Sequence, residues 1–214
     1  MSHYPHPLLA REGWPFIGLA VVLSLLATML WGGVAALPFY IVLVFVLQFF
    51  RDPPRMIPQK PNAVLSPADG RIVVVEKAHD PYANREALKI SVFMNVFNVH
   101  VNRSPIKGVV KDIVYKKGQF LNASLDKASD KNERSSLVIN TDNGTKIIVV
   151  QIAGLIARRI LGFISANHNL EQGERFGLIR FGSRVDIYMP LDAVTQCIIG
   201  DTVIAGESVL ASLN

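Results

Sequence analysis

The chain is poor in the residues that organise small metal-bound or disulfide-stapled folds. It holds a single cysteine, Cys197, in 214 residues. That excludes an internal disulfide framework and a cysteine-based structural zinc site. Its five histidines are compatible with a His/carboxylate metal site, but no His-x-x-x-His spacing supports one. Charged residues make up 18% of the chain against 50% hydrophobic ones, which excludes a disordered polyelectrolyte. The sharpest absence is local: from Trp14 to Phe50 there is no charged residue. Such a segment has no polar face with which to lie on a soluble body as a helix.

What fills that segment is two apolar runs, Trp14–Trp31 and Val34–Phe50, separated by Gly32-Gly33. Each would be roughly 26 Å long as a helix, near the lower limit for crossing a bilayer core of about 30 Å. A cleavable signal peptide fits poorly, because the stretch lacks a basic leader and continues into a second run. Residues 1–50 are therefore expected to form a membrane-associating helical hairpin, either spanning or re-entrant. Arg51, Arg55 and Lys60 follow it, whereas Arg11 is the only Lys or Arg before it. That bias puts both chain ends on the cytoplasmic face of the cell membrane. Pro53-Pro54 must end the second helix, leaving Arg51 and Arg55 at headgroup depth, where guanidinium groups suit phosphates.

Residues 51–214 read as one strand-rich catalytic domain. Expected strands are Arg71–Glu76, Leu88–Met94, Gly108–Lys116, Ser135–Thr141, Thr145–Gln151, Phe176–Phe181, Arg184–Met189 and Val194–Ile199. Asp142-Asn143-Gly144 signals a hairpin, with Asn-Gly able to take positive φ at both positions. Ile152–Ile164 is compatible with a helix or a buried strand. Two pieces, Val64–Ile72 and Ile199–Glu207, share a strand–tight-turn–strand design resembling lipoyl carriers. The fold class is mainly β: a β-sandwich or barrel-like catalytic domain with lipoyl-like strand–turn elements, plus the N-terminal hydrophobic helical hairpin.

Charge is uneven along this body. Residues 51–182 hold 20 Lys and Arg against 12 Asp and Glu, net +8, while 183–214 hold one against four, net −3. A basic body beside a membrane segment suits anionic headgroups. No nucleic-acid recognition motif accompanies the charge, and no nucleic acid is expected as partner.

Three residues could carry chemistry. Asp69 in Ser66-Pro67-Ala68-Asp69-Gly70 is by default a turn aspartate. His100 in Val99-His100-Val101-Asn102-Arg103, taken alone, is more often structural than catalytic. Ser183, after Gly182, is ordinarily a turn residue. Their company changes the weighting. With Phe49-Phe50-Arg51-Asp52-Pro53, Asn132-Glu133-Arg134, Gly154-Leu155-Ile156-Ala157-Arg158-Arg159-Ile160 and Arg180-Phe181-Gly182-Ser183-Arg184-Val185-Asp186, the chain resembles the pyruvoyl-dependent phosphatidylserine decarboxylase proenzymes of the short bacterial or archaeal type. Many long-type members carry Leu-Gly-Ser-Thr where this chain has Phe-Gly-Ser-Arg, which fits the short branch.

The resemblance implies self-cleavage between Gly182 and Ser183 into a β chain, 1–182, and an α chain, 183–214, that stay associated as a heterodimer; further homo-oligomerisation is left open. It implies that Ser183 becomes a pyruvoyl group, the cofactor, with no metal or nucleotide. His100 would be the base for Ser183 Oγ, and Asp69 would orient the imidazole, as in other Ser-His-Asp systems. The substrate would be a serine-headed phospholipid, phosphatidylserine or alternatively archaetidylserine, converted to its ethanolamine counterpart and CO2. Arg51, Arg55 and Arg103 are candidates to hold its phosphate. Two readings of other classes compete. A membrane-anchored serine hydrolase would ordinarily show Gly-x-Ser-x-Gly, which is absent around Ser183. A lipoyl-like carrier needs a lysine at a hairpin tip, and Gly200–Glu207 contains none.

Overall fold

A computed structural model describes residues 6–118, 132–154, 159–180 and 183–214, and it divides into two compact units, Met1–Pro54 and Arg55–Asn214. The first unit is built from a short 3₁₀ turn, Arg11–Gly13, and two helices, α1 (Trp14–Trp31) and α2 (Gly33–Phe49). Gly32 takes φ 81° between them, a value open to glycine, and so reverses the chain. The helices meet through small side chains: Ala20, Ser24, Ala27 and Ala36 are buried, whereas Leu25, Leu30, Val34 and Ile41 face outward. Small residues at such a seam let two backbones approach closely where lipid supplies no hydrophobic drive for association. The hydroxyls are satisfied within the hairpin, Ser24 Oγ donating to Ala20 O at 2.8 Å and Thr28 Oγ1 to Ser24 O at 2.9 Å. At its open end, Ala10 N donates to Phe50 O and Asp52 N to Leu8 O, at 2.8 and 2.7 Å. By length and composition α1 with its preceding turn can cross a membrane, and α2 is a shorter apolar helix.

The second unit contains fourteen strands among its described residues: β1 (Ala63–Leu65), β2 (Gly70–Asp80), β3 (Arg85–Met94), β4 (Val101–Arg103), β5 (Gly108–Lys116), β6 (Arg134–Asn140), β7 (Lys146–Ala153), β8 (Ile160–Gly162), β9 (Asn169–Leu170), β10 (Arg175–Ile179), β11 (Ser183–Met189), β12 (Val194–Thr195), β13 (Thr202–Val203) and β14 (Val209–Ser212). Eight of them form a curled antiparallel half-barrel in the order β13-β2-β3-β11-β7-β6-β5-β9. Two three-stranded sheets, β1-β14-β12 and β4-β10-β8, complete the unit. Alternation in β11 divides the side chains. Val185, Ile187 and Met189 join Ile72, Ile90, Val92, Leu137, Ile139 and Val149 in the main core. Arg184 and Asp186 point to the other face with Tyr188, which packs with Ile148, Val150 and Ile152.

The mainly β reading and the helical hairpin are both observed. The hairpin turn differs from expectation. Asn143 does not take positive φ; only Gly144 does, at 78°. Thr141 O accepts from Gly144 N and Thr145 O from Thr141 N, both at 2.9 Å, so the loop holds three residues with glycine in the left-handed position. Of the Ile152–Ile164 stretch, left between helix and buried strand, Ile152 and Ala153 end β7 and Ile160–Gly162 form β8, a strand that is only partly buried. Residues 155–158 lie outside the described residues.

Candidate active site

The site is assembled at one end of the half-barrel, where three separate sequence segments meet. Ser183 is the first residue of β11, fully buried, and pairs with Met94 of β3 on one side and Ala153 of β7 on the other. Its Oγ lies 3.3 Å from Met94 Sδ. Asn102 of β4 reaches the same sulfur, Nδ2 standing 3.7 Å from it, and also donates to Pro67 O at 3.4 Å. Gln151 Nε2 donates to Asn102 Oδ1 at 2.8 Å. The buried chain Gln151–Asn102–Met94–Ser183 thus links the large sheet to the small β4-β10-β8 sheet. Gly177 makes room for it, since a Cβ there would stand 2.8 Å from Gln151 Nε2 and 2.7 Å from Leu161 O.

His100 is buried just before β4, and its carbonyl accepts a hydrogen bond from Ile179 N at 3.3 Å. Ile179 ends β10, four residues before Ser183 in the chain. His100 Nδ1 faces Asn98 O at 2.9 Å. A carbonyl only accepts, so Nδ1 carries a proton, and in the neutral ring Nε2 is then the basic nitrogen.

Asp69 has different company. Its two carboxylate oxygens each lie 3.0 Å from Arg55 Nη2, and Oδ1 accepts from Ala205 N at 2.8 Å. The pair is nearly buried. The turn containing Asp69 reaches the site through Pro67 O, which accepts from Arg103 N at 2.9 Å as well as from Asn102. Gly70 is required for close packing, because a Cβ there would run into the Phe93 carbonyl oxygen.

The three phosphate candidates are also engaged. Arg51 Nη1 donates to Gln48 O at 2.6 Å, Arg55 pairs with Asp69, and buried Arg103 donates to Gly173 O at 3.1 Å. Gly182, the other half of the expected scissile bond, lies outside the described residues. Asn132 and Glu133 support the neighbouring strand. Asn132 Nδ2 donates to Ala153 O at 2.7 Å, and Glu133 O accepts from Ala153 N at 2.9 Å. The Glu133 carboxylate and burial together push the Tyr115 phenol up from its ordinary value, burial being the larger cause. No group of three metal-ligating side chains occurs among the described residues.

Sequence reasoning missed Met94 and Gln151, which read only as strand residues. It also missed the Asn98 carbonyl, since a backbone acceptor leaves no trace in residue type. The buried pair next to the serine was missed too. Arg184 Nε donates to Asp186 Oδ1 at 2.6 Å, while its Nη2 donates to Asp186 Oδ2 at 3.2 Å and Ser91 Oγ at 2.9 Å.

The family described as phosphatidylserine decarboxylase matches residues 42–211. The chain is 59% identical over 211 residues to the phosphatidylserine decarboxylase proenzyme of Burkholderia vietnamiensis, covering 99% of both chains. It is 60% identical to that of Burkholderia multivorans, again with 99% of each chain covered. With its motifs in order and its relatives matched from end to end, the chain belongs to the phosphatidylserine decarboxylase family.

Proposed function

We propose that this chain is a proenzyme that cuts itself between Gly182 and Ser183 and then decarboxylates phosphatidylserine to phosphatidylethanolamine at a bilayer surface. One observation carries the reading: Ser183 opens a strand clamped on both sides by backbone pairing, with His100 bonded to the strand that feeds it.

Maturation uses the chain's own groups. His100 Nε2 takes the proton of Ser183 Oγ, and Oγ attacks the Gly182 carbonyl carbon, so that an ester replaces the peptide bond. Loss of the Ser183 Cα proton breaks the Cβ–O bond and releases Gly182 as a carboxylate, the new end of the β chain. The remaining dehydroalanine takes up one water and loses ammonia, leaving the pyruvoyl group. The surroundings suit that group: the Ser183 side chain already lies against a soft, uncharged thioether, a fitting neighbour for the methyl left when Oγ departs.

The family's pyruvoyl group supplies an electron sink for decarboxylation that no ordinary side chain offers. The protein's part is positioning. Pairing to Met94 and Ala153 keeps residue 183 in place after the cut, and burial excludes water. The Asn98 carbonyl holds a proton on His100 Nδ1, so that Nε2 can first take up a proton and then pass it to the reacting carbon. Asp69 acts as a positioning residue, joining the Pro67–Gly70 turn to Arg55 and the Ala205 amide. Arg51, Arg55 or Arg103 holds the lipid phosphate. The hairpin keeps the enzyme on the cytoplasmic face of the membrane, where a diacyl substrate stays because each buried CH2 is worth about 0.8 kcal/mol. The two chains remain a heterodimer because β11 is a central strand of the half-barrel.

Intact mass of the purified protein tests the reading. Two chains are expected, the smaller beginning with a borohydride-reducible ketone. A fully active, continuous chain of 23.6 kDa would falsify it.

A further inference from the structure

The end of the half-barrel that carries Ser183 is rimmed by side chains that the maturation chemistry does not use. Ser183 pairs with Met94, Val203 pairs with Gly70 and Arg71 pairs with Phe93, so the turns that follow Met94 and Val203 lie at the same end of the sheet as Ser183. The turn after Met94 carries Phe97, 64% exposed, and the turn after Val203 carries Ile204, 39% exposed. Met56, 84% exposed, is tied to the second turn, its amide donating to Glu207 Oε1 at 3.0 Å while Glu207 N donates to Ile204 O at 3.1 Å. On the far side of His100, Arg180 N donates to Arg159 O at 3.3 Å. The two arginines thus stand one residue beyond the Ile179–His100 bond.

The Phe97 turn is built to leave water. Asn98 Oδ1 accepts from Asn95 N at 2.8 Å, Asn95 Oδ1 accepts from Phe97 N at 2.9 Å, and Asn98 N donates to Asn95 O at 3.1 Å. Asn98 O is held by His100 Nδ1. A turn whose polar backbone is satisfied internally can enter a medium of low polarity without large desolvation loss.

We propose that Phe97, Ile204 and Met56, together with Arg159 and Arg180, form a membrane-contacting rim of the catalytic body that seats on anionic lipid headgroups around the mouth of the site. This rests on the reading of Ser183 as the lipid-acting centre. The occupant is a bilayer surface because the rim is separate apolar tips beside a basic pair, which matches a layered interface of acyl boundary and phosphate. A protein partner would call for a contiguous apolar face. Substrate acyl chains then stay in the bilayer while the headgroup travels past Phe97 to Ser183. Because Asn98 belongs to both the tip and the His100 contact, seating the tip also steadies the base.

The test uses the full chain with Cys197→Ser and one new cysteine, Phe97→Cys, bearing an environment-sensitive fluorophore. Vesicles of phosphatidylcholine with phosphatidylglycerol supply anionic headgroups without a reactive serine. Blue-shifted emission and quenching by shallow spin-labelled lipid are expected at position 97. The same label at Asn143→Cys, in the hairpin at the opposite end of the sheet, should stay aqueous. Adding Arg159→Gln and Arg180→Gln should lower the quenched fraction about twofold or more, since each basic group near an anionic surface contributes about a fivefold bias. A label at 97 as aqueous as that at 143, in membrane-anchored protein, overturns the rim. Ile204→Cys is read the same way should Phe97→Cys fold poorly. Gels of the same samples separate the two readings. Cut protein with an aqueous label rejects the rim alone, whereas uncut protein with a lipid-quenched label rejects the role of Ser183 and keeps the membrane contact.

Discussion

Ser183 Oγ rests 3.3 Å from Met94 Sδ across the β3–β11 pairing, so the nucleophile is packed against a weak acceptor rather than a strong one. A hydroxyl in that position keeps its proton until a base removes it. Ser183→Ala should therefore yield a single uncut and inactive chain on a denaturing gel. Ser183→Cys should still cut, because a thiol attacks the same carbonyl, but it cannot leave the same oxygen ester. A cut Ser183→Ala product would remove this residue from the reaction.

His100→Ala should slow maturation about 10² to 10⁴-fold, the usual contribution of a positioned base. The rate is read by the appearance of the small chain after synthesis. Asn98 contributes a main-chain carbonyl to the ring, so Asn98→Ala should disturb it only through the turn, where Asn98 Oδ1 holds Asn95 N. A milder slowing is expected there. Equal effects of the two substitutions would mean that the turn, and not the imidazole, limits the reaction.

How legible the site was depended on what each partner contributes. Asp69, His100 and Ser183 were visible because their side chains carry reactive chemistry and recur in motifs. Their company was not, because it is made by pairing across the sheets. Met94 comes to Ser183 through the β3–β11 register, and Gln151 to Asn102 through the packing of one sheet on another. Asp69 shows the limit most clearly: its residue type suggested a partner for histidine, whereas the structure sets it on Arg55 and Ala205 N. The helices α1 and α2 were readable, since two apolar runs meet at Gly32-Gly33. The strand bounds were readable to within a few residues except at β2, expected to end at Glu76 but running on to Asp80, and at β12, where a run expected to reach Ile199 stops at Thr195. Beyond it, Ile198 N turns to Asp201 Oδ2, an acceptor that ends the strand pattern.

Gly177→Ala should separate packing from chemistry. The added methyl meets Gln151 Nε2 and Leu161 O, so Gln151 must release Asn102. Slower maturation with little loss of β content by circular dichroism is the expected result. Unchanged maturation would show that the Gln151–Asn102 bond is dispensable.

Tyr188 makes alkaline stability a test of the outer face. Burial, and next the Asp186 carboxylate, hold its phenol far above the ordinary value of 10.0. The folded state therefore keeps a proton that the unfolded chain releases. The stabilisation is present in full below the unfolded pKa and is lost as pH rises from there toward the folded value. Tyr188→Phe should flatten the fall in denaturant midpoint on the alkaline side. An identical slope in both proteins would place the titration elsewhere.

The pair next to the nucleophile makes the last prediction the most demanding. Arg184 and Asp186 are both buried on the outer face of β11, and Arg184 also reaches Ser91 on β3. Both charges were desolvated on folding, so they hold one another in place without adding much net stability. Removing one leaves the other uncompensated, and Arg184→Met alone should lower unfolding free energy by about 3–5 kcal/mol. Arg184→Met with Asp186→Leu should recover most of that loss, because two apolar groups replace two charges together. The contact with Ser91 would join the first residues of the small chain to the large one after cutting. Ser91→Ala should therefore leave maturation intact while raising the rate at which the small chain dissociates in mild denaturant. Dissociation at the wild-type rate would confine the pair to the stability of β11 itself.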